Sequence, residues 1–362
     1  NNMKKIAIAM LFSLMFSFQA VAETFTYVVP AGPDGGNGKW AQNFVKQWDK
    51  KLQAYGHNMV IRYLPGQQGR KANSEWQKNM SSDPTVVVQS SGGFIGWLTK
   101  PDGWAGFDPS KNVDTIGLQL QGTFVFLKSG VNPETDNPAV HIDGGSEVLV
   151  DIMGHALMVC GNQSVDETIA CMKSTMRLVK GFKGSGERRQ AYLVDQLQIS
   201  RDGFAHKRKT YKDELAAGKT VVWYSHGTVD NNGNMIADPN EPESWFNDAF
   251  VARWGEQPSG EFYDAYNLII KIRSSMGKSV YTMKNNPNKE ILIKAWNDVL
   301  ADKEAMKVLK KKLGKYDWKL GDEAQTITQK VWATLNPDTY LNVIKIRQAF
   351  GEKAKIRPEL AE

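Results

Sequence analysis

Near its N-terminus the chain three times runs from a short apolar strand signal, through a glycine-rich turn, toward a helical signal, and that alternation most restricts its fold. The first strand, Phe25 to Val29, enters Pro30-Ala31-Gly32-Pro33-Asp34-Gly35-Gly36-Asn37-Gly38. A helix is predicted from Lys39 to Tyr55, with Trp40, Phe44, Trp48, Leu52 and Tyr55 at helical spacing. The second strand, Met59 to Tyr63, reaches Pro65-Gly66-Gln67-Gln68-Gly69 and a helix from Ala72 to Asn79. The third, Thr85 to Val88, ends in Gln89-Ser90-Ser91-Gly92-Gly93. Strands alternating with helices imply an open, mainly parallel α/β sheet, in which such loops share the carboxyl edge where ligands bind. Glycines there let backbone approach a ligand, and a helix N-terminus offers N–H groups to an anion.

The pattern recurs in mid-chain. Ala156 to Val159 reads as a strand, Gly161-Asn162-Gln163-Ser164 as a turn, and Val165 to Met176 as a helix capped by Ser164 with Asp166 and Glu167 in its first turn. A strand from Leu178 to Phe182 ends in Lys183-Gly184-Ser185-Gly186, before a helix from Glu187 to Gln196. A short helix near Lys212 to Ala217 precedes a strand from Thr220 to Tyr224. The final third is predicted mostly helical, most clearly over Lys289–Ala301, Lys303–Leu313 and Asp322–Thr334.

Lys4 and Lys5, an apolar run from Ile6 to Phe18, and Ala20-Val21-Ala22 have the form of a cleaved export signal, with the mature chain expected to begin near Glu23. The apolar run is shorter than the roughly 20 residues a spanning helix needs, so a soluble periplasmic protein is expected. An anion held outside the cytoplasm is then more naturally a captured solute than a phosphate awaiting transfer. About 340 remaining residues suggest two domains by the rough rule of 100–200 residues each. Formal charge is +6, of which the leader lysines account for two, and this modest excess does not imply nucleic-acid binding. Lys207-Arg208-Lys209 and Lys310-Lys311-Lys312 read as solvated faces. Cys160 and Cys171 are the only cysteines; in an oxidising compartment a disulfide and two buried thiols both remain open.

Catalytic and metal chemistry find little support. Gly38-Lys39-Trp40 fails the spacing of a phosphate loop, and Trp40 stands where the metal-ligating hydroxyl belongs. Asp230 through Asp238 and Glu241 approach calcium-loop spacing, but Met235 takes the glycine position, so a polar hairpin is expected. His57, His141, His155, His206 and His226 show no paired metal spacing, and no serine lies in a nucleophile elbow. No cofactor, metal or enzymatic activity is expected. Of the tryptophans, Trp223, with its neighbour Tyr224, is the best placed to line a cleft.

Taken in order, Val29-Pro30-Ala31-Gly32 through Gly36, Pro65-Gly66-Gln67-Gln68-Gly69, Gln89-Ser90-Ser91-Gly92, Phe182-Lys183-Gly184-Ser185-Gly186 and Leu215-Ala216-Ala217-Gly218-Lys219 resemble the solute-binding receptors of tripartite tricarboxylate transporters, the Bug or TctC family. The resemblance extends through Asn285-Asn286-Pro287 and the helix after it. It implies a type II periplasmic-binding-protein fold, two α/β lobes joined by crossover strands near Phe124–Leu127 and Val221–Tyr224. Residues 1–22 would be the signal peptide, 23–123 and 226–362 the first lobe, and 124–225 the second. Carried over position by position, the ligand carboxylate would be held by Ala31, Gly35, Gly36, Asn37, Gln67, Ser90, Ser91 and Gly92 of the first lobe. Gln163, Ser164, Lys183, Gly184 and Ser185 would contribute from the second.

Gly38 stands where many relatives carry an acidic residue able to pair with an ammonium group, which weighs against an amino-acid ligand. Lys39, Lys183 and Arg188 would bias the cleft toward anions, with solvated surface charge the alternative for Lys39 and Arg188. The function this implies is capture of a small organic carboxylate, di- or tricarboxylate favoured, by a monomer that hands it to membrane permease subunits. Docking on a sensor kinase is the alternative, and an envelope hydrolase would require a nucleophile and base that the sequence does not display.

Overall fold

The computed structural model describes residues 22–90, 112–141, 146–182 and 185–357. The predicted leader, apart from Ala22, lies outside them. The first half contains β1 (Thr24–Val29), α1 (Gly36–Gln53), β2 (Asn58–Tyr63), α2 (Arg70–Asn79), β3 (Val86–Gln89), β4 (Val113–Gln119), β5 (Phe124–Lys128), β6 (Ala139–His141), α3 (Ser146–Cys160), α4 (Val165–Thr175) and β7 (Arg177–Val179). It continues with α5 (Ser185–Leu193), β8 (Ile199–Asp202), α6 (Phe204–Lys209), α7 (Lys212–Ala216), β9 (Thr220–Ser225), β10 (Thr228–Val229) and β11 (Met235–Ile236). The C-terminal part holds α8 (Phe246–Trp254), α9 (Glu261–Met276), β12 (Ser279–Met283), α10 (Lys289–Ala301), α11 (Lys303–Leu313), β13 (Trp318–Leu320), α12 (Gly321–Ala333) and α13 (Pro337–Ala349).

Among the described residues the larger strands form two sheets, ordered β13-β4-β12-β3-β1-β2 and β7-β6-β8-β5-β9. Both follow one plan. Parallel strands flank a central first strand, and one antiparallel strand is inserted before the fourth parallel strand: β12 in the first sheet, β5 in the second. Each inserted strand is supplied by chain arriving from the other sheet. The passage out, between β4 and β5, lies beside the passage back after β9: His226 N–H donates to the Thr123 carbonyl at 3.0 Å, and the Thr228 hydroxyl to that of Leu120 at 2.9 Å.

Both faces of each sheet are covered, as a mainly parallel sheet requires. Along β1, Phe25, Tyr27 and Val29 face one core while Val28 faces another. The first core is aromatic: Trp40, Phe44 and Trp48 of α1, one turn apart, pack on Trp296, with the Phe44 and Trp296 ring centroids 4.3 Å apart. The second is continuous from the first sheet, through α9, to α3 and β6 of the second. A separate cluster of Phe124, Phe126, Tyr192 and Tyr211 fills the outer face of the second sheet.

The predicted strand at Ala156–Val159 is instead the C-terminal part of α3. Ala156, Leu157, Met158 and Val159 are all buried, so the four-residue run carries no amphipathic period, and a buried helix segment is indistinguishable from a core strand at that length. Its last residue, Cys160, is disulfide-bonded to Cys171 of α4 with Cα atoms 6.3 Å apart, which settles the alternative left open above. Lys310, Lys311 and Lys312 lie in the last turn of α11 opposite buried Ala305, Leu309 and Leu313, a solvated face as expected. Lys207 departs from that reading: it pairs with Glu241 and lies over the Phe124 ring at 4.4 Å. Asp230 accepts the N–H groups of Asn232 and Asn234, turning the β10–β11 hairpin as predicted. No described helix is long and apolar enough to cross a membrane.

Candidate functional site

The parallel arrangement of β1, β2 and β3 brings their following loops to one edge. There lie Ala31, Gly35, Gly36 and Asn37 in the first loop and first turn of α1, exposed Gln67 in the second loop, and buried Ser90 at the end of β3. Helix α1 begins at Gly36, three residues earlier than predicted, and has no side-chain cap and no acidic residue in its first turn. Its opening N–H groups therefore remain available to an anion. The loop folds tightly over this turn: a Cβ on Gly38 would overlap the Gly32 carbonyl oxygen and stand 2.8 Å from Pro33 Cα. The missing acidic residue at position 38 thus has a steric cause.

The glycine loop faces the second sheet. Asp34 pairs with Lys39 at 3.0 Å, and its carboxyl is held below its usual value first by Lys39, with smaller effects from Lys209 and Arg189. Across from it, α5 begins at Ser185, whose hydroxyl accepts from Arg189 at 3.1 Å. Ser91, Gly92, Lys183 and Gly184 lie outside the described residues. Gln163 and Ser164 are not brought to this edge. Helix α3 starts beyond the carboxyl end of β6 and carries them to its far end, where Ser164 caps α4 reciprocally with Glu167 and neighbouring Asn162 bonds Gln257 and Ser259.

The second sheet presents a small pocket at its carboxyl edge, lined by Val140, His141, Asp151, His155, Arg188, Ile199, Ser200 and Arg201. It has room for about one water-sized group at its base. Two buried charge networks form its walls. In one, Asp151 of α3 pairs with Arg201 of β8 at 2.5 Å, His226 of the returning passage at 3.1 Å and Arg273 of α9 at 3.5 Å. Burial pushes the Asp151 carboxyl up, but Arg201, His226 and Arg273 outweigh it and hold the group well below the usual carboxylate range. In the other, Asp202 pairs with both Arg188 and Arg189, at 3.2 and 3.3 Å, and accepts the Tyr211 hydroxyl at 2.9 Å. Arg188 is therefore a buried ion-pair member, not the solvated charge weighed as its alternative.

His155 stands one helical turn beyond Asp151. Its Nδ1 is 2.8 Å from the Tyr224 hydroxyl, and its ring stacks on Trp223 at 5.3 Å. Tyr224 passes so close to α3 that a Cβ on Gly154 would stand 2.5 Å from its hydroxyl, which accounts for a glycine inside this helix. Burial lowers the His155 pKa to about 3, against the opposing pull of Asp151; burial likewise lowers His206 and His226 to about 4. Sequence reasoning missed His155, Arg189, Ser200, Arg201 and Asp202 as site residues. The available signal was Asp151 and His155 at helical spacing inside an otherwise apolar run. Among the described residues no group of three or more His, Cys, Asp or Glu could hold a metal.

No family model matches the chain, and no curated protein matches it. Solved structures do. The periplasmic binding protein BugD superposes with a TM-score of 0.56 at 13% identity, over 91% of this chain and 97% of that one. MatC from Rhodopseudomonas palustris with bound malate gives 0.54 at 14%, over 91% and 99%. An R. palustris protein with adipate gives 0.60 at 13%, over 92% and 99%. The fold is thus the two-lobed one of periplasmic binding proteins. The resemblance drawn from the glycine loops is met at the level of the fold, which BugD shares.

Two predictions follow from this geometry. Gly38→Ala forces the first loop off α1 and destabilises the protein by about 1–3 kcal/mol in denaturant titration, whereas an unchanged midpoint would show that the loop does not need the close approach. The second concerns pH. Three imidazoles are neutral when folded, with pKa values below the unfolded 6.5, so the unfolded state binds more protons as pH falls. Their stabilisation is complete above about pH 6.5 and is lost progressively toward pH 4 and below. Equilibrium unfolding across that range should show falling stability with proton uptake on unfolding; a flat profile contradicts buried neutral histidines.

Proposed function

We propose that the chain is a periplasmic solute-binding receptor that captures a small organic carboxylate, di- or tricarboxylate favoured, between its lobes and delivers it to a tripartite tricarboxylate-type membrane transporter. The carrying observation is the uncapped N-terminus of α1, whose preceding loop lies within electrostatic reach of buried Arg189 in the second sheet's half. Both sides suit negative charge. The bound malate and adipate of two structural neighbours agree with this chemistry. In this reading 23–123 with 226–362 form one lobe and 124–225 the other. The protein is a monomer, and ligand drives hinge closure by touching both lobes. It binds without turnover, and permease subunits recognise the closed form.

A thermal-shift panel of di- and tricarboxylates, aromatic acids and amino acids tests the reading. A ligand binding only the folded state at one hundred times its Kd stabilises by about 2.7 kcal/mol, a rise of several degrees. The expected pattern is a rise with polycarboxylates and none with amino acids. No shift with any carboxylate would sink the proposal.

A further inference from the structure

Arg188 and Arg189 are 4% and 6% exposed, and the only carboxylate paired with them among the described residues is Asp202. One carboxylate between two guanidinium groups leaves a buried positive charge without its counter-charge, an arrangement that costs stability unless an anion arrives. His206, which also meets Arg189, is neutral and does not alter the balance. Two buried nitrogens of the pocket-lining residues, Arg188 Nε and His155 Nε2, have no hydrogen-bond partner. Unpartnered buried nitrogens also occur away from the pocket, at Gln89, Gln119 and Trp296 among others, so these two point to a ligand only because they line one pocket beside the surplus guanidinium charge.

The Tyr224 hydroxyl contacts His155 Nδ1 at 2.8 Å and the Asp151 carbonyl at 3.5 Å; its single proton goes to one of them, and the subsite requires the tautomer in which it goes to Nδ1. With Nδ1 accepting, the ring proton resides on Nε2. The group is then a neutral donor fixed by Tyr224 and by stacking on Trp223.

We propose that this second-lobe pocket is a side-chain subsite for one carboxylate end of the ligand, bound by Arg188 with His155 Nε2–H, and that it makes the receptor select diacids over monoacids. The inference rests on the receptor reading above and names which end of the ligand each lobe holds: the α1 amides take one acid group, the Arg188 pocket the other. Asp151, also in its lining, is already saturated by Arg201, His226 and Arg273.

Calorimetric titration of the full chain with linear four- to six-carbon diacids, including adipate, and with monoacids of equal length tests the assignment. Wild type should bind its preferred diacid at least tenfold more tightly than the matching monoacid. Arg188→Met, which leaves Asp202 paired with Arg189 and Tyr211, should weaken diacid binding by about 10- to 100-fold, toward that of the matching monoacid. His155→Leu should weaken diacid binding about tenfold and His155→Gln should restore most of it, because the amide supplies a donor near the same place. Circular dichroism confirms that each variant folds, and the His155 pair carries the test if Arg188→Met does not. Tight diacid binding indifferent to both positions overturns the subsite while leaving the receptor intact. Binding of inorganic phosphate or sulfate in place of diacids overturns it in favour of an inorganic oxyanion site. A wild-type chain that binds no carboxylate overturns the receptor reading itself.

Discussion

Asp151 is the point on which the second half of the molecule turns. Its carboxylate joins α3 to β8 through Arg201, to α9 through Arg273 and to the returning passage through His226, which in turn meets Tyr266 at 2.7 Å. Four separate stretches of chain therefore converge on one buried acid. Such a charge is tolerable only because every side is answered, and removing one partner would leave the rest uncompensated. Its position, where the chain crosses between sheets, lets it set the orientation of α3, and α3 sets His155. The pocket thus inherits its geometry from a network that forms part of its own wall.

The same dependence explains why the two sheets complement each other as they do. The first offers backbone: an uncapped helix start under a loop that only Gly38 allows to close. The second offers side chains with surplus positive charge. Backbone amides accept many oxygen ligands with little discrimination, whereas paired guanidinium and imidazole donors discriminate by charge and length. In the proposed receptor, capture and selection are divided between the lobes, and hinge closure brings them together.

Much of this was legible in the sequence. The first two strand–glycine–helix units, the third strand, the capping role of Ser164 and the helices at 289–301 and 303–313 follow from periodicity and cap chemistry, which are local. The pocket was not legible, because its members come from β6, α3, α5 and β8 and meet only through tertiary packing. The reading of Ala156–Val159 as a strand hid the most useful clue, since residues four apart on a strand share a face but stand about 13 Å from each other, whereas one helical turn brings Asp151 and His155 together. Gln163 and Ser164 were placed in the cleft by the family resemblance; a turn after a strand would lie at the carboxyl edge, while their turn follows α3 and lies away from it. Arg189 and Asp202 carry no sequence signal of partnership at all; burial alone makes them a pair.

The most direct test is a crystal structure of the protein with the diacid that stabilises it most. One carboxylate should accept hydrogen bonds from the Gly36–Gly38 amides and the other should contact Arg188 and His155 Nε2, with the two lobes closed on the ligand. A ligand seated elsewhere, or one whose second acid group points to solvent with Arg188 still unengaged, would contradict the account.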